Sequence, residues 1–217
     1  MNHVVLFALK DPDPNRLLLD RILISLAWEG LPAILIFNKS DITDEALEAD
    51  LRRIYEECGY QVLITSAKTG EGVDAVRKML KGRLTTVAGP SGAGKSSLIN
   101  CLQKDVVMET GEVSKRIGRG RQTTRHIQLV PVGDNGYIID TPGFGTIAPP
   151  DMKAASLAEY FPEMADAADK CRFRGCAHMD EPDCEVKRRV EEGAIAASRY
   201  QSYRTIYGEV AEQEKRY

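Results

Sequence analysis

No stretch of this 217-residue chain is apolar for long enough to cross a membrane as a helix, which takes about 20 residues. The chain also lacks the basic opening of a secretory leader. Met1-Asn2-His3-Val4-Val5-Leu6-Phe7 reads instead as a first strand. A cytoplasmic protein with no membrane partner is therefore expected. A strong charge of either sign is missing too, since 29 Lys and Arg against 32 Asp and Glu leave −3. That excludes a global attraction to nucleic acid, so any such contact must be local. Apolar residues are not scarce: 43% suffices for a full core, in one large domain or one with a small appendage.

The clearest positive signal is Gly89-Pro90-Ser91-Gly92-Ala93-Gly94-Lys95-Ser96, with Ser97 after it. It follows an apolar, β-branched run at 83–88 and precedes a helical pattern with Leu98, Ile99 and Leu102 on one face. Strand, glycine loop and helix are the context of a phosphate-binding loop. The glycines let backbone N–H groups approach phosphate oxygens, and the helix N-terminus faces the anion. Lys95 would neutralise β- and γ-phosphates, and the Ser96 hydroxyl would ligate Mg²⁺. About fifty residues on, the strand at 137–140 ends in Asp140, and Thr141-Pro142-Gly143 follows. An acid there suits Mg²⁺, and the Gly143 N–H suits a γ-phosphate.

Residues 113–126 carry Lys115, Arg116, Arg119, Arg121 and Arg125 without an acid. They read as a loop whose Thr123 or Thr124 senses Mg²⁺; the sequence does not decide which. The arginines fit either a solvated basic loop or a contact to RNA phosphate.

Two further loops each follow an apolar strand. Asn38-Lys39-Ser40-Asp41 follows 33–37, and Ser66-Ala67-Lys68 follows 61–65. The Asp41 carboxylate can accept from guanine N1–H and its 2-amino group, which adenine does not offer. Asn38 and the Lys39 stem would frame the loop and the base, the Ala67 N–H would donate to guanine O6, and Lys68 would cover a ring face. These are the base-reading segments of a GTPase, yet they precede the phosphate loop. The expected fold is therefore α/β, a three-layer α/β/α P-loop GTPase in circularly permuted order.

Of five cysteines, Cys58 and Cys101 fall in helical patterns and read as buried small residues. The others form Cys171-x4-Cys176-x-His178-x5-Cys184, a complete tetrahedral set for one structural zinc. After Pro149-Pro150 the chain turns helical and charged, at 156–161 and 187–207. The expected division is residues 1–150, the GTPase domain, and 151–217, a small zinc-binding helical domain stabilised by its metal. Arg188 and Arg189 read as a solvated helix face, with a partner contact as the alternative.

With the permuted order and the Cys171-Arg172-Phe173-Arg174-Gly175-Cys176 knot in view, the chain resembles the RsgA/YjeQ family of circularly permuted GTPases. The resemblance covers nearly the whole chain. It implies GTP hydrolysis stimulated by the small (30S) ribosomal subunit, late assembly of that subunit, contact with 16S rRNA, Mg²⁺ with GTP, and a zinc-containing tail. A monomer is expected. Family members usually carry an N-terminal OB-fold, and residue 1 here lies almost at the first GTPase strand. That domain is expected to be missing, the chain being naturally short or a fragment. Gln122 stands where the family usually has a histidine proposed as catalytic, and Arg125 where it has a third threonine.

The position after Gly143, where many GTPases hold a glutamine, is Phe144. Gln122 is then the candidate for orienting water, and intrinsic turnover is expected to be slow. Three alternatives share parts of this pattern. A P-loop kinase or ATPase would leave Asp41 unexplained. A non-hydrolysing GTP-dependent adaptor would keep every binding motif. A zinc-centred RNA-binding module would bind 30S particles with or without GTP.

Overall fold

The computed structural model describes residues 1–110, 128–140 and 147–215. The chain divides into two compact units. The first comprises Met1–Pro14, Ala33–Asp50 and Gln61–Gly145; the second comprises Asn15–Pro32, Leu51–Tyr60 and Thr146–Tyr217.

The first unit is built on six strands: β1 (Asn2–Ala8), β2 (Ala33–Asn38), β3 (Gln61–Thr65), β4 (Leu84–Ala88), β5 (Gln128–Pro131) and β6 (Tyr137–Asp140). Their order in the sheet is β3-β2-β1-β4-β6-β5. All neighbours run parallel except β5 against β6. Every residue of the central β1 is buried, as its unbroken run of Val4, Val5, Leu6 and Phe7 requires of a parallel strand covered on both faces. On one face, Val4, Leu6, Ile36, Val87 and Ile138 pack with residues of α3 (Val73–Leu80) and α4 (Lys95–Thr110), including Val76, Leu80, Leu98 and Leu102.

From β1 the chain steps outward to β2 and β3. It returns to place β4 on the other side of β1, then continues to β6. The direction of winding thus reverses between β1 and β4. In open α/β sheets, ligands bind at the carboxyl ends of the strands at such a point.

A tight turn precedes β6. Asp134 and Asn135 both adopt positive φ (45° and 58°), and the Gly136 N–H donates to Gly133 O at 2.7 Å. This is the twist a tight hairpin demands.

The second unit holds α1 (Arg16–Trp28), most of α2 (Glu45–Glu57), a 3-10 helix (Ala154–Tyr160), α5 (Pro162–Ala168), α6 (Glu185–Glu191) and α7 (Ala197–Glu214). The Asn15 side chain caps α1 by accepting from the Leu18 N–H at 3.0 Å. Helix is broken between α6 and α7, where Gly193 takes φ 75°, so the pattern at 187–207 is two helices rather than one.

Ile24, Leu157, Phe161, Met164, Val186, Tyr203, Ile206 and Val210 form this unit's core. Within it the Arg199 guanidinium, 1% exposed, pairs with Asp20 and with Glu163, the latter at 2.8 Å. Tyr55 donates to the same Asp20 oxygen at 3.0 Å, and the Phe161 ring lies 4.6 Å from the guanidinium. Chain order alone suggested a tail beginning at 151. In space, 15–32 and 51–60 group with that tail, and Asp20 and Tyr55 show how they are tied to it. Arg188 and Arg189 are engaged locally, by Glu185 and Glu192 and by Asp166 and Glu185. Among the described residues no helix is long and apolar enough to cross a membrane.

Candidate functional site

β4 runs into the phosphate-loop sequence next to β1, at the reversal. Gly89 lies so close to β1 that a Cβ there would sit 2.0 Å from the Leu6 carbonyl oxygen. Only glycine fits. Gly94 has φ 93°, and a Cβ on it would meet Asn38 Nδ2 at 2.3 Å. The Lys95 ammonium donates back to the Gly89 and Pro90 carbonyls, each at 2.7 Å, so the loop closes over its own lysine. α4 begins at that residue, with the Leu98 N–H bonded to Gly94 O at 2.9 Å. Ser91, Gly92, Ser96 and Ser97 are exposed; Ala93 is buried. A loop opening a helix in this way presents backbone donors to an anion.

Asn38, 1% exposed at the end of β2, reaches across to this loop. Its Nδ2 donates to Ala93 O at 3.1 Å. Its Oδ1 accepts from the Thr65 hydroxyl and from the Ala67 N–H, both at 3.1 Å. One buried amide therefore fixes three loops relative to each other. Asn38 was expected to frame the loop as well as the base, and these bonds are those of a loop-framing residue.

Lys39 adopts φ 71° and its ammonium donates to the Asp11 carbonyl. Asp41 accepts from the Ser66 hydroxyl at 2.7 Å, and Lys68 lies 3.4 Å from its other oxygen. The Ser66 hydrogen bond, with Lys68 adding to it, holds the Asp41 carboxyl below the usual carboxylate range. Asp41, Lys39, Ala67, Lys68, Gly94 and Ser97 line a common cavity of about 230 Å³. The cavity thus joins the start of α4 to a carboxylate that Ser66 and Lys68 orient.

Thr65, Glu71 and Asp11 escaped the sequence reading. Thr65 supports Asn38, Glu71 accepts from Ser40 at 3.0 Å, and the Asp11 carbonyl holds Lys39. A polar residue closing an apolar strand was the only signal, and only for Thr65.

Asp140 ends β6 in register with Val87 of β4, two residues before Gly89. The other expected participants, Gln122, Thr123, Thr124 and Gly143, lie outside the described residues, as do Phe144 and the basic residues from Lys115 to Arg125.

In the second unit, the donor atoms of Cys171, Cys176, His178 and Cys184 all lie within 4.8 Å of one another. His178 Nδ1 is 3.5 Å from Cys171 Sγ and 3.4 Å from Cys184 Sγ, and those two sulfurs are 4.0 Å apart. A tetrahedral centre with bonds of ordinary length would set edges of about 3.6 Å for sulfur–nitrogen and about 3.8 Å for sulfur–sulfur. The set fits a metal ion.

Burial pushes the Cys176 thiol up to about 12 and lowers His178. A bound dication reverses the first effect, because a coordinating thiol is deprotonated outright. Of the residues that support these donors, Glu181 stands within the cysteine knot of the sequence, and the tyrosines of α7 had no local signal. The Glu181 carboxylate accepts from the Ala177 and Met179 amides at 2.7 and 2.9 Å. Tyr203 and Tyr200 of α7 donate to the Ala177 and His178 carbonyls, each at 2.7 Å. Such bonds fix the orientation of ligand residues.

Comparison with known proteins finds relatives over nearly the whole chain. The family model described as RsgA GTPase matches residues 2–148. A protein of Agathobacter rectalis named small ribosomal subunit biogenesis GTPase RsgA is 47% identical over 98% of this chain and 70% of its own length. One of the same name from Moorella thermoacetica is 44% identical, over 98% and 73%. Among solved structures, YjeQ from Thermotoga maritima superposes with a TM-score of 0.77 at 34% identity, over 97% of this chain and 71% of that one. YloQ, described as a circularly permuted GTPase, gives 0.76 at 29% identity, over 98% and 68%.

Proposed function

The chain belongs to the RsgA GTPase family, and from that premise we propose how its residues carry the family's activity. It is a GTPase, splitting GTP into GDP and phosphate, and it acts in biogenesis of the small ribosomal subunit. The observation that carries the residue-level reading is the buried Asn38 amide, which holds the base-reading loops against the phosphate loop. One nucleotide laid across them would rest its phosphates on the loop from Gly89 to Ser96, in which every residue but Pro90 offers an N–H, with Lys95 beside them. Its base would meet Asp41, which accepts from guanine N1–H and the 2-amino group. ATP would leave that carboxylate unpaired, and sites built for a hydrogen bond reject analogues lacking it by about 10⁴-fold or more.

Ser96 and Asp140, with Thr123 or Thr124, would hold Mg²⁺, which supplies charge neutralisation to the β- and γ-phosphates. Gly143 would donate to the γ-phosphate, and Gln122 would orient the attacking water. A glutamine can donate and accept, but it cannot take up a proton near neutral pH. Turnover by the chain alone is therefore slow, and the small subunit raises it.

We assign zinc to the Cys171, Cys176, His178 and Cys184 set, because three thiolates and an imidazole suit that ion and leave no open position for catalysis. The chain works as a cytoplasmic monomer on 16S rRNA within the small subunit. Competition tests the nucleotide assignment. A hundredfold excess of ATP should leave GTP turnover unchanged. Inhibition in proportion to ATP would instead mark a general P-loop nucleotidase.

A further inference from the structure

A short 3-10 helix, Ser40–Ile42, carries Ser40 and Asp41 side by side, and both are tied to the loop that follows β3. Asp41 accepts from the Ser66 hydroxyl at 2.7 Å, and the Ser40 hydroxyl donates to the Glu71 carboxylate at 3.0 Å. The loop that offers both partners is closed on itself. The Ser66 N–H donates to the Glu71 carbonyl at 3.0 Å and the Gly70 N–H to the Ser66 carbonyl at 2.8 Å. The Thr69 N–H donates to the Ser66 hydroxyl at 3.2 Å. Glu71 is exposed, yet its backbone is fixed against Ser66. Two bonds from adjacent residues to one fixed loop stop the Asp41 turn from pivoting about either of them. The third contact, from Lys68 to Asp41 at 3.4 Å, comes from a side chain that is 78% exposed. A base seated on Asp41, with Lys68 over its ring face, takes that contact away. Ser66 and Glu71 are then what hold the turn.

We propose that Glu71 is a positioning residue for guanine recognition. Through Ser40 it holds the turn so that the Asp41 carboxylate meets N1–H and the 2-amino group together. Without Glu71 the turn pivots about the Ser66 bond, and Asp41 keeps only one of its two bonds to the base. Glu71 therefore sets both the residence time of the nucleotide and the discrimination that depends on the 2-amino group. The inosine nucleotide is the matching probe, because its base keeps N1–H and O6 and lacks that amino group. The proposal rests on the reading that Asp41 accepts from guanine.

The test reads release of fluorescently labelled GDP and inosine diphosphate from the full chain by stopped flow. The parent should release GDP about tenfold or more slowly than inosine diphosphate. Ser40→Ala and Glu71→Ala should each speed GDP release about threefold to tenfold and leave association within about twofold of the parent. Release of inosine diphosphate should barely change. The double variant should match either single one, because both remove the same bond. Glu71→Gln keeps an accepting oxygen and should restore most of the parental residence. Parental GDP release from both alanine variants would overturn the proposal. So would equal acceleration of the two nucleotides, which is what a merely loosened loop produces, and so would additive effects in the double variant. Release from Glu71→Gln as fast as from Glu71→Ala would overturn the hydrogen bond as the cause. Asp41→Asn separates this proposal from the reading beneath it. A parent that does not distinguish the two nucleotides, with Asp41→Asn behaving as the parent, counts against Asp41 as the guanine reader. Discrimination lost in Asp41→Asn and kept in Glu71→Ala counts against the role of Glu71 alone.

Discussion

At the scale of single residues, the nucleotide site turns on two side chains that do different work. Asp41 is presented by Ser66 and Lys68 with its carboxyl held below the usual range. Asp41→Asn replaces an acceptor by a donor and should lower GTP affinity about 10- to 100-fold, measured by calorimetry. Because a depressed carboxyl stays ionised above its ordinary range, protonation of Asp41 should not weaken GTP binding between pH 8 and pH 5. A loss of affinity in that window that Asp41→Asn abolishes would show the carboxyl titrating higher. Asn38 touches only protein. Its replacement by Ala leaves the Ala93 carbonyl and the Ala67 amide without their partner, and should cost about 1–3 kcal/mol of stability in urea unfolding. GDP and GTP affinity should fall together, since the loops that hold both are loosened.

At the scale of elements, Arg199 joins α1, α5 and α7, with Tyr55 of α2 bonded to the same Asp20. Removing one partner of a buried ion pair strands the other, so Arg199→Met should cost about 3–5 kcal/mol. A thermal midpoint within a degree of the parent would contradict that. Between α5 and α6, Arg189 bridges Asp166 and Glu185. Hydrogen bonds from Arg188 and Arg189 hold the Glu185 carboxyl down to about 2. The folded value lies below the unfolded one, so this contribution is complete above the ordinary glutamate range and is lost as pH falls toward 2. The stability gap between the parent and Glu185→Gln should therefore narrow on going from pH 7 to pH 3. Comparing the two proteins cancels any metal loss they share. These ties were not legible in the sequence. Asp20 and Arg199 are 179 positions apart, and nothing local marks either as buried. The strands at 61–65 and 137–140, the glycine loop and the cysteine set were legible, because periodicity, glycine and ligand spacing are local properties.

At the scale of the molecule, chain order misleads where it is read as spatial order. Residues 15–32 belong early in the sequence yet group with the metal-binding tail, whereas the nucleotide site draws its loops from the ends of β2, β3 and β4 within the other unit. Chelation should accordingly remove one metal equivalent per chain and lower the thermal midpoint, while the nucleotide site, which shares no ligand with the metal, keeps its GDP affinity. Parallel loss of GDP binding would contradict that independence. On the reading proposed above, the phosphate loop, Asp41 and the buried Asn38 form the site of the GTP hydrolysis that serves the small ribosomal subunit. The most direct test is steady-state release of phosphate from GTP by the full chain, with and without purified small subunits. Slow release by the chain alone, accelerated at least tenfold by small subunits and abolished by Lys95→Ala, is the expected result. The same rate with and without subunits, or a rate unaffected by Lys95→Ala, would contradict it.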